Sequence, residues 1–302
     1  MKKGIISYGE AFVDFIAQDY SNTQFKRFIG GATLNLAVGV QRLGTPSYYL
    51  CKLGQDKISA FIKYELIKAG VNIDFSIVSS HKRISEVYVH LNQQGERYFH
   101  SYVNETPDEQ LLETELNQEL FKKAFLFYCG SGTLFHPIAY KTTLAALELS
   151  KKHGTLIAFD PNIRIKRWES EQYCRMAIKT VLPQVDILKL TKSELLFLME
   201  TDTVDEGLKK LASYSVPFVW ITLGEKGALA VFHGQPYHTE GKKVQAIDTT
   251  GAGDAFMARI LHCIHSDGLP SDKNEIIRYT KFGNKLGALA ATQKGALTIF
   301  NK

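Results

Sequence analysis

The chain has 302 residues, 45% hydrophobic and 22% charged, which allows a sizeable core and argues against global disorder. Net charge is +5, from 36 basic against 31 acidic residues, and Lys and Arg are scattered without a basic run, so no nucleic-acid partner is expected. No apolar run approaches a membrane span, and Glu10 and Asp14 break the stretch behind Lys2 and Lys3 too early for a signal peptide. Cys51, Cys129, Cys174 and Cys263 lie far apart with no CxxC or Cys/His ligand spacing. They read as reduced core thiols of a soluble, cytoplasmic protein.

Gly4 to Tyr8 is a short apolar run expected to form a buried strand. Glu10 to Asp19 alternates in part, which places Asp14 either toward a pocket or at a strand-end surface. Phe25 to Ile29 reads as a further strand. Gly30-Gly31-Ala32-Thr33-Leu34-Asn35 then opens a helix carrying Leu36, Ala37, Val38, Val40 and Leu43. This glycine pair is neither the three-glycine dinucleotide pattern nor a P-loop, which needs a following Lys-Ser/Thr. Taken alone it reads first as a tight packing turn, and second as a cradle for hydroxyls or phosphate, with Asn35 able to donate and accept.

Tyr48 to Leu53 reads as one strand, and Gly54-Gln55-Asp56 caps a helix from Lys57 to Ala69. Ile73 to Val78, Glu86 to Leu91 and Arg97 to Val103 alternate as half-buried strands, with a hairpin signal at Asn92-Gln93-Gln94-Gly95. Together with residues 12 to 29 they are expected to form a small sheet projecting from the body as a lid. From residue 107 onward strands alternate with helices. Phe125 to Cys129, Leu156 to Phe159, Ile187 to Leu190 and Phe218 to Leu223 are the strands, and a hairpin follows around Gly234. Such alternation predicts a mostly parallel sheet with helices on both faces and a ligand site at the strands' carboxyl ends.

The stretch Ile247 to Phe256 carries the strongest local signal. Gly251, Ala252 and Gly253 lead into apolar residues at helical spacing, Phe256, Met257, Ile260, Leu261 and Ile264. A small-residue turn feeding a helix N-terminus is a ready anion site. Asp254 in that first turn reads as a general base for a hydroxyl attacking phosphorus, or as an ordinary Asp cap; the spacing leaves both open.

These segments together resemble the ribokinase-like sugar kinases, also called the phosphofructokinase-B family, over nearly the whole chain from Tyr8 to Gly295. Gly30-Gly31-Ala32-Thr33-Leu34-Asn35-Leu36-Ala37 and Asp248-Thr249-Thr250-Gly251-Ala252-Gly253-Asp254 carry the resemblance. Tyr8 to Phe15 and Phe159-Asp160-Pro161-Asn162-Ile163-Arg164 look most like fructokinases, with ketodeoxygluconate kinases the nearest competitor. The resemblance implies a three-layer α/β/α sandwich plus a small β lid, with residues 1–11, 30–70 and 105–302 in the nucleotide-binding and catalytic domain and 12–29 and 71–104 in the lid. It implies ATP-dependent phosphorylation of a primary hydroxyl of a small sugar, fructose first.

The family's roles, carried over by position, make Asp254 the catalytic base and Gly251, Ala252 and Gly253 the anion hole. Asp14, Gly30, Gly31 and Asn35 fall at sugar-binding positions, and Arg164 is a second cation near phosphate or product. Thr222, Gly224 and Gly227 match the nucleotide loop and Asn284 an adenine-site position. Glu194 matches the residue that orients Mg²⁺ through water. Asp248, Thr250, Ala290, Gln293 and Gly295 match the K⁺ site of some members.

Two departures stand out. Thr191 occupies the place where the magnesium motif usually begins with Asn. Tyr102 is followed by Val103 where fructokinases and ketodeoxygluconate kinases often carry Tyr-Arg, so Arg97 becomes either a source of charge on the same strand or an ordinary lid-surface residue. Lys189 reads as a structural ion-pair partner. Family lids often pair between subunits, and the apolar faces of residues 86 to 103 suit that, so a homodimer is expected. A non-catalytic sugar- or nucleotide-binding protein is the alternative from another class, disfavoured by a base at position 254. A dinucleotide oxidoreductase is disfavoured because no GxGxxG follows the first strand.

Overall fold

The computed structural model of the chain describes residues 2–300, the side chain of Arg97 excepted. The first part runs β1 (Ile5–Tyr8), β2 (Phe12–Ala17), β3 (Phe25–Gly30), α1 (Ala32–Arg42), β4 (Ser47–Leu50), β5 (Lys52–Leu53), α2 (Lys57–Lys68), β6 (Ile77–Val78), β7 (Ser85–Leu91) and β8 (Arg97–Val103). The second part runs α3 (Gln118–Lys123), β9 (Leu126–Cys129), α4 (Pro137–Lys152), β10 (Leu156–Phe159), α5 (Glu171–Val181), β11 (Ile187–Thr191), α6 (Lys192–Met199), α7 (Val204–Leu211) and β12 (Phe218–Thr222). It closes with β13 (Ala228–Phe232), β14 (Gln235–Thr239), α8 (Ala252–Asp267) and α9 (Lys273–Ala291).

An eight-stranded sheet has the order β14-β13-β12-β11-β10-β9-β1-β4, parallel from β12 to β4, with β13 and β14 antiparallel at one edge. The two-residue alternation of the strands sorts the core into layers. Ile6, Tyr8, Phe127, Cys129, Ile157 and Phe159 pack on one face with residues of α3 to α7. Ile5, Leu126, Tyr128, Ala158 and Trp220 pack on the other with α1, α8 and α9. A third cluster joins α1 and α2 to Val13 and Ile84. This is the expected α/β/α sandwich.

The separate small sheet has the order β3-β2-β7-β8. One expected strand does not join it. Within Ile73 to Val78 the chain first turns, with the Ser76 N–H donating to the Ile73 carbonyl, and only β6 is extended. β6 pairs in parallel with β5 instead. The cause lies in the expected single strand from Tyr48 to Leu53, which is broken at Cys51. Its edge offers N–H and C=O groups that segment 72–79 takes up: Tyr49 N–H donates to Asn72 O, Ile77 N–H to Cys51 O and Ser79 N–H to Leu53 O.

A buried polar contact ties the centre of the large sheet to α9. The Trp220 indole Nε1–H donates to Thr280 Oγ1 at 2.9 Å, and both residues are fully buried. Replacing Thr280 by the isosteric Val removes the acceptor and strands the indole donor. Thr280→Val is therefore expected to cost about 1–3 kcal/mol, read as a lower urea midpoint at unchanged m value. A midpoint equal to that of the unaltered chain would show that this contact contributes nothing.

Candidate active site

β1 and β9 flank the point where the strand order reverses, since β1 connects through α1 to β4 on one side while the later strands extend on the other. An open parallel sheet has its natural crevice at the carboxyl ends of strands there. A cleft of about 1760 Å³ occupies that place. Its walls bring together Asp14, Gly30, Gly31, Asn35 and Tyr102 from the first third of the chain. From the rest come Arg164, Lys189, Thr191, Glu194, Asp248, Thr250, Gly251, Gly253, Asp254 and Gly295.

α8 starts at the floor of the cleft. Gly251 is its N-cap at φ 78°, a left-handed conformation, and a Cβ there would lie 2.4 Å from the Ala296 Cβ, so both backbone and space require glycine. Gly253 and Asp254 in the first turn have N–H groups with no intrahelical acceptor. Ala252, expected in the same cradle, differs: its N–H donates to Thr249 O at 3.2 Å because the preceding turn folds back onto the helix start. The Asp254 carboxyl accepts from Asn35 Nδ2 at 2.8 Å. It is half-buried with a face on the cleft. Burial raises its pKa, against the opposing pull of the Asn35 hydrogen bond and the charges of Lys189 and Arg164.

Asn35 is held by α1, whose N-cap Gly31 sits at φ 109°. A Cβ at Gly31 would approach the Glu10 carbonyl to 2.8 Å, so the chain crosses itself tightly at this turn. The Asn35 Oδ1 is buried and has no partner among the described residues. Asp14 lies against the same turn: a Cβ on Gly30 would meet Asp14 Oδ2 at 2.6 Å. Burial pushes the Asp14 carboxyl up to about 6. An orphan amide oxygen and a desolvated carboxylate side by side form an acceptor-rich wall, complementary to hydroxyl donors.

Thr191 and Glu194 form a capping box at the start of α6. Glu194 Oε2 accepts from the Thr191 N–H at 2.7 Å and the Thr191 hydroxyl at 2.9 Å, and Oε1 accepts from the Ile163 N–H at 2.8 Å. The carboxylate is thus pinned from two sides with lone pairs left over. Asp248 links the turn before α8 to the segment after α9: Oδ1 accepts from the Thr250 N–H and Oδ2 from the Gly295 N–H, each at 3.0 Å. The Ala290 carbonyl already accepts the Thr292 and Gln293 N–H groups, so of the expected potassium positions it has the least capacity left. Among the described residues no group of three or more His, Cys, Asp or Glu side chains is gathered as a metal site.

Thr222, Gly224, Gly227, Asn284, Ala290 and Gln293 lie outside the cleft lining. Gly227, at φ 92°, packs against the backbone of 239–241, where a Cβ would meet Thr239 O at 2.1 Å. Asn284 Nδ2 donates to the carbonyls of Thr239 and Glu240, each at 3.0 Å. Both amide hydrogens hold that loop, which leaves Oδ1 for any direct contact with a base. The Thr222 hydroxyl donates to Leu190 O at 3.4 Å. The backbone of Arg97 opens β8 opposite Leu91; its side chain lies outside the described residues.

With this geometry in place, comparison with known proteins is decisive. The description "pfkB family carbohydrate kinase" matches residues 2–301. The chain belongs to that family. This kinase is 34% identical to fructokinase-1 of Zea mays, across 97% of this chain and 93% of that protein. Identity to the fructokinase of Vibrio alginolyticus is 32%, across 96% and 93%. Vibrio cholerae O395 fructokinase, solved with fructose, ADP and calcium, superposes with a TM-score of 0.87 at 30% identity, covering 99% of this chain and 96% of that one. Xylella fastidiosa fructokinase with bound ATP superposes at 0.90, 25% identical, covering 99% and 95%.

One feature of the kinase was missed by sequence reasoning. Arg167 places its guanidinium over three rings, 4.4 Å from the Phe135 centroid, 5.3 Å from Phe12 and 5.6 Å from Tyr102, while facing Glu10 at 3.4 Å and Glu105 at 3.3 Å. Glu10 also meets Lys82 and Gln110. No spacing motif marks Arg167; the only signal was its position just beyond the Asp160-Pro161-Asn162 turn. Lys189, expected as a structural ion-pair partner, has Asp160 as that partner, joined at 2.8 Å with both side chains buried.

Proposed function

We propose that this kinase transfers the γ-phosphoryl group of ATP to a primary hydroxyl of fructose. The observation that carries the reading is the Asp254 carboxyl, steadied by Asn35 in the first turn of α8 and open to the cleft. A carboxylate beside free helix N–H groups is suited to take a proton from an alcohol while the helix start receives phosphoryl charge. The fructokinase relatives and the fructose-bound Vibrio cholerae structure support the choice of sugar.

Within this reading Asp14, Gly30, Gly31 and Asn35 hold the sugar, with Tyr102 from the small sheet facing it and Arg97 a source of charge on the same strand. Gly251, Gly253 and Ala252 shape the phosphoryl cradle, and Arg164 stands at its mouth. Thr222, Gly224, Gly227 and Asn284 build the nucleotide side. The small sheet, residues 12–29 and 85–103, acts as a lid that excludes water from transfer. Arg167 faces two carboxylates, Glu10 and Glu105, so the wall beside Tyr102 suits a neutral sugar better than an acidic one.

Mg²⁺ on the nucleotide would neutralise phosphate charge. Glu194 fits it through metal-bound water, because each of its oxygens already accepts from the protein while keeping acceptor capacity. Asp248, Thr250, Gln293, Gly295 and Ala290 offer oxygen donors only, which suits K⁺. A solved Vibrio cholerae O395 fructokinase variant with fructose, ADP and potassium bound supports the second ion. The four cysteines, free and buried, suit a reducing compartment.

An ADP-release assay over fructose, other hexoses, ribose and 2-keto-3-deoxygluconate, with and without K⁺, is expected to give fructose the highest kcat/KM. An acidic sugar outrunning fructose would overturn the assignment. In the same assay Asp254→Asn is expected to lower kcat about 10²–10⁴-fold with little change in sugar affinity; near-normal turnover would remove Asp254 from the base role. Asp14 accepts sugar hydroxyls best when ionised. Since burial raises it to about 6, sugar KM should be flat above that pH and rise as pH falls through it. Asp14→Asn should abolish the dependence, and a flat KM down to pH 5 in the unaltered enzyme would contradict the contact. We also infer a homodimer through the small sheet, which leaves Tyr98, Phe99, Tyr102 and Val103 exposed. Light scattering that shows only monomer at micromolar concentration would refute it.

A further inference from the structure

Lys189 lies on β11 and reaches beneath the first turn of α8. A Cβ placed on Gly253 would sit 3.2 Å from Lys189 Nζ, and no atom of Asp160 lies within 4 Å of that point. Of the pair, the ammonium is therefore the member nearer the cradle. Lys189 also forms part of the cleft wall. Burying two charges costs more than packing two apolar side chains of similar volume, so this pair is poorly explained by stability. Its placement is also electrostatically unusual, because a helix N-terminus already carries partial positive charge and favours anions. A lysine pressed against it adds like to like, and an arriving anion relieves both. The other oxygen of the pair, Asp160 Oδ1, and the Tyr128 Oη, which interacts with Asp160, are buried and have no hydrogen-bond partner among the described residues.

We propose that Lys189 is a positioning residue of phosphoryl transfer, whose ammonium beneath Gly253 supplies a fixed positive charge on which Asp254 and the incoming phosphoryl group both lean. The inference rests on the kinase reading of Asp254. In the step itself Asp254 takes the hydroxyl proton and the sugar oxygen bonds to the γ-phosphorus. The bond from that phosphorus to the bridging oxygen breaks, and ADP leaves with the electron pair. Lys189 neither gives nor takes a proton. Burial alone would pull its ammonium down, but Asp160, Glu194 and Asp254 outweigh this and hold it above the ordinary lysine value. It stays charged throughout the working pH range. The groups that interact with Asp254 are Asn35 from α1, Tyr128 from β9, Asp160 and Arg164 after β10 and Lys189 from β11. Of these, Lys189 and Arg164 favour its ionised form by charge.

Two variants test this, because Lys189→Met alone leaves Asp160 buried without its partner. The double variant Asp160→Asn with Lys189→Met removes both charges and keeps the net charge of the pair at zero. In each, the Asp254 carboxyl is titrated by carbon-13 NMR in the ligand-free protein, its resonance identified by loss in Asp254→Asn. The expected result is a midpoint displaced to higher pH in both variants. With it come a kcat lower by at least about tenfold and an acidic limb of the kcat profile shifted the same way, while fructose KM stays near that of the unaltered enzyme. A midpoint and kcat like those of the unaltered enzyme in either folded variant would overturn the proposal. So would failure of both variants to fold, which assigns the pair to the core. Turnover of the unaltered enzyme reports on the kinase reading and the NMR midpoint on Lys189 alone, so the two fail separately.

Discussion

The hydrogen bond from Asn35 to Asp254 is the contact on which the site depends, because it joins the starts of two helices that nothing in the chain places side by side locally. α1 and α8 lie on the same face of the large sheet and pack together. Their approach is set further along, where a Cβ on Gly39 would come within 2.9 Å of the Ala258 Cβ and 3.0 Å of the Phe300 ring. Close packing at that crossing, with both helix starts turned in by positive-φ glycines, brings an amide and a carboxyl 219 residues apart within bonding distance. A larger side chain at the crossing would act on the site without touching it.

Around that contact the charges are arranged by what holds each one. Glu194 is fixed by backbone N–H groups and a hydroxyl, so its orientation survives without a cation. Asp248 is fixed in the same way between two loops. Asp14 has desolvation as its perturbing influence and is pushed toward the neutral form, as a group does when it awaits hydrogen-bond donors from a ligand. Asp254 is intermediate, raised by burial yet restrained by an amide and two cations. All four line the cleft; Glu194 and Asp248 are tied to backbone N–H groups, whereas Asp254 is held by a side-chain amide and Asp14 lies against the Gly30 turn. The difference follows from geometry, since Glu194 sits at a helix cap and Asp248 between two loops, where N–H groups converge.

Much of this was legible in the sequence because glycines and caps are local. Gly31 and Gly251 announce turns whose backbone other residues rarely adopt, and the residues after them announce helices. Asp56 capping α2 is of the same kind. What was not legible is long-range. Ile73 to Val78 alternates like a strand, but its pairing partner was decided by the unpaired edge at 49–53. The link between Asp160 and Lys189 spans two strands, and a lysine in an apolar run shows nothing of the glycine it will lie beneath. Ala252 looked equivalent to its glycine neighbours until the turn at Thr249 took its N–H.

The remaining step concerns how the small sheet is joined to the large one. Only Gly9, Glu10 and Ala11 separate β1 from β2, so the strand beside the switch point feeds directly into the small sheet. Glu10 in that connection meets Arg167, Lys82 and Gln110. Arg167 in turn spreads over Phe12 and Tyr102 of the small sheet and Phe135 of the body. A guanidinium stacked on rings from both parts resists shear between them, because displacement loses the stacking contacts and the acidic partners together. β2 carries Asp14 two residues beyond Phe12, and β3 ends in Gly30, against which Asp14 rests. A shift of the small sheet therefore moves Asp14 relative to Asp254 and Asn35, whose positions are set by helices packed on the large sheet. The same few residues that hold the two sheets together thus set the distance between the Asp14 carboxyl and the carboxyl beside the helix start.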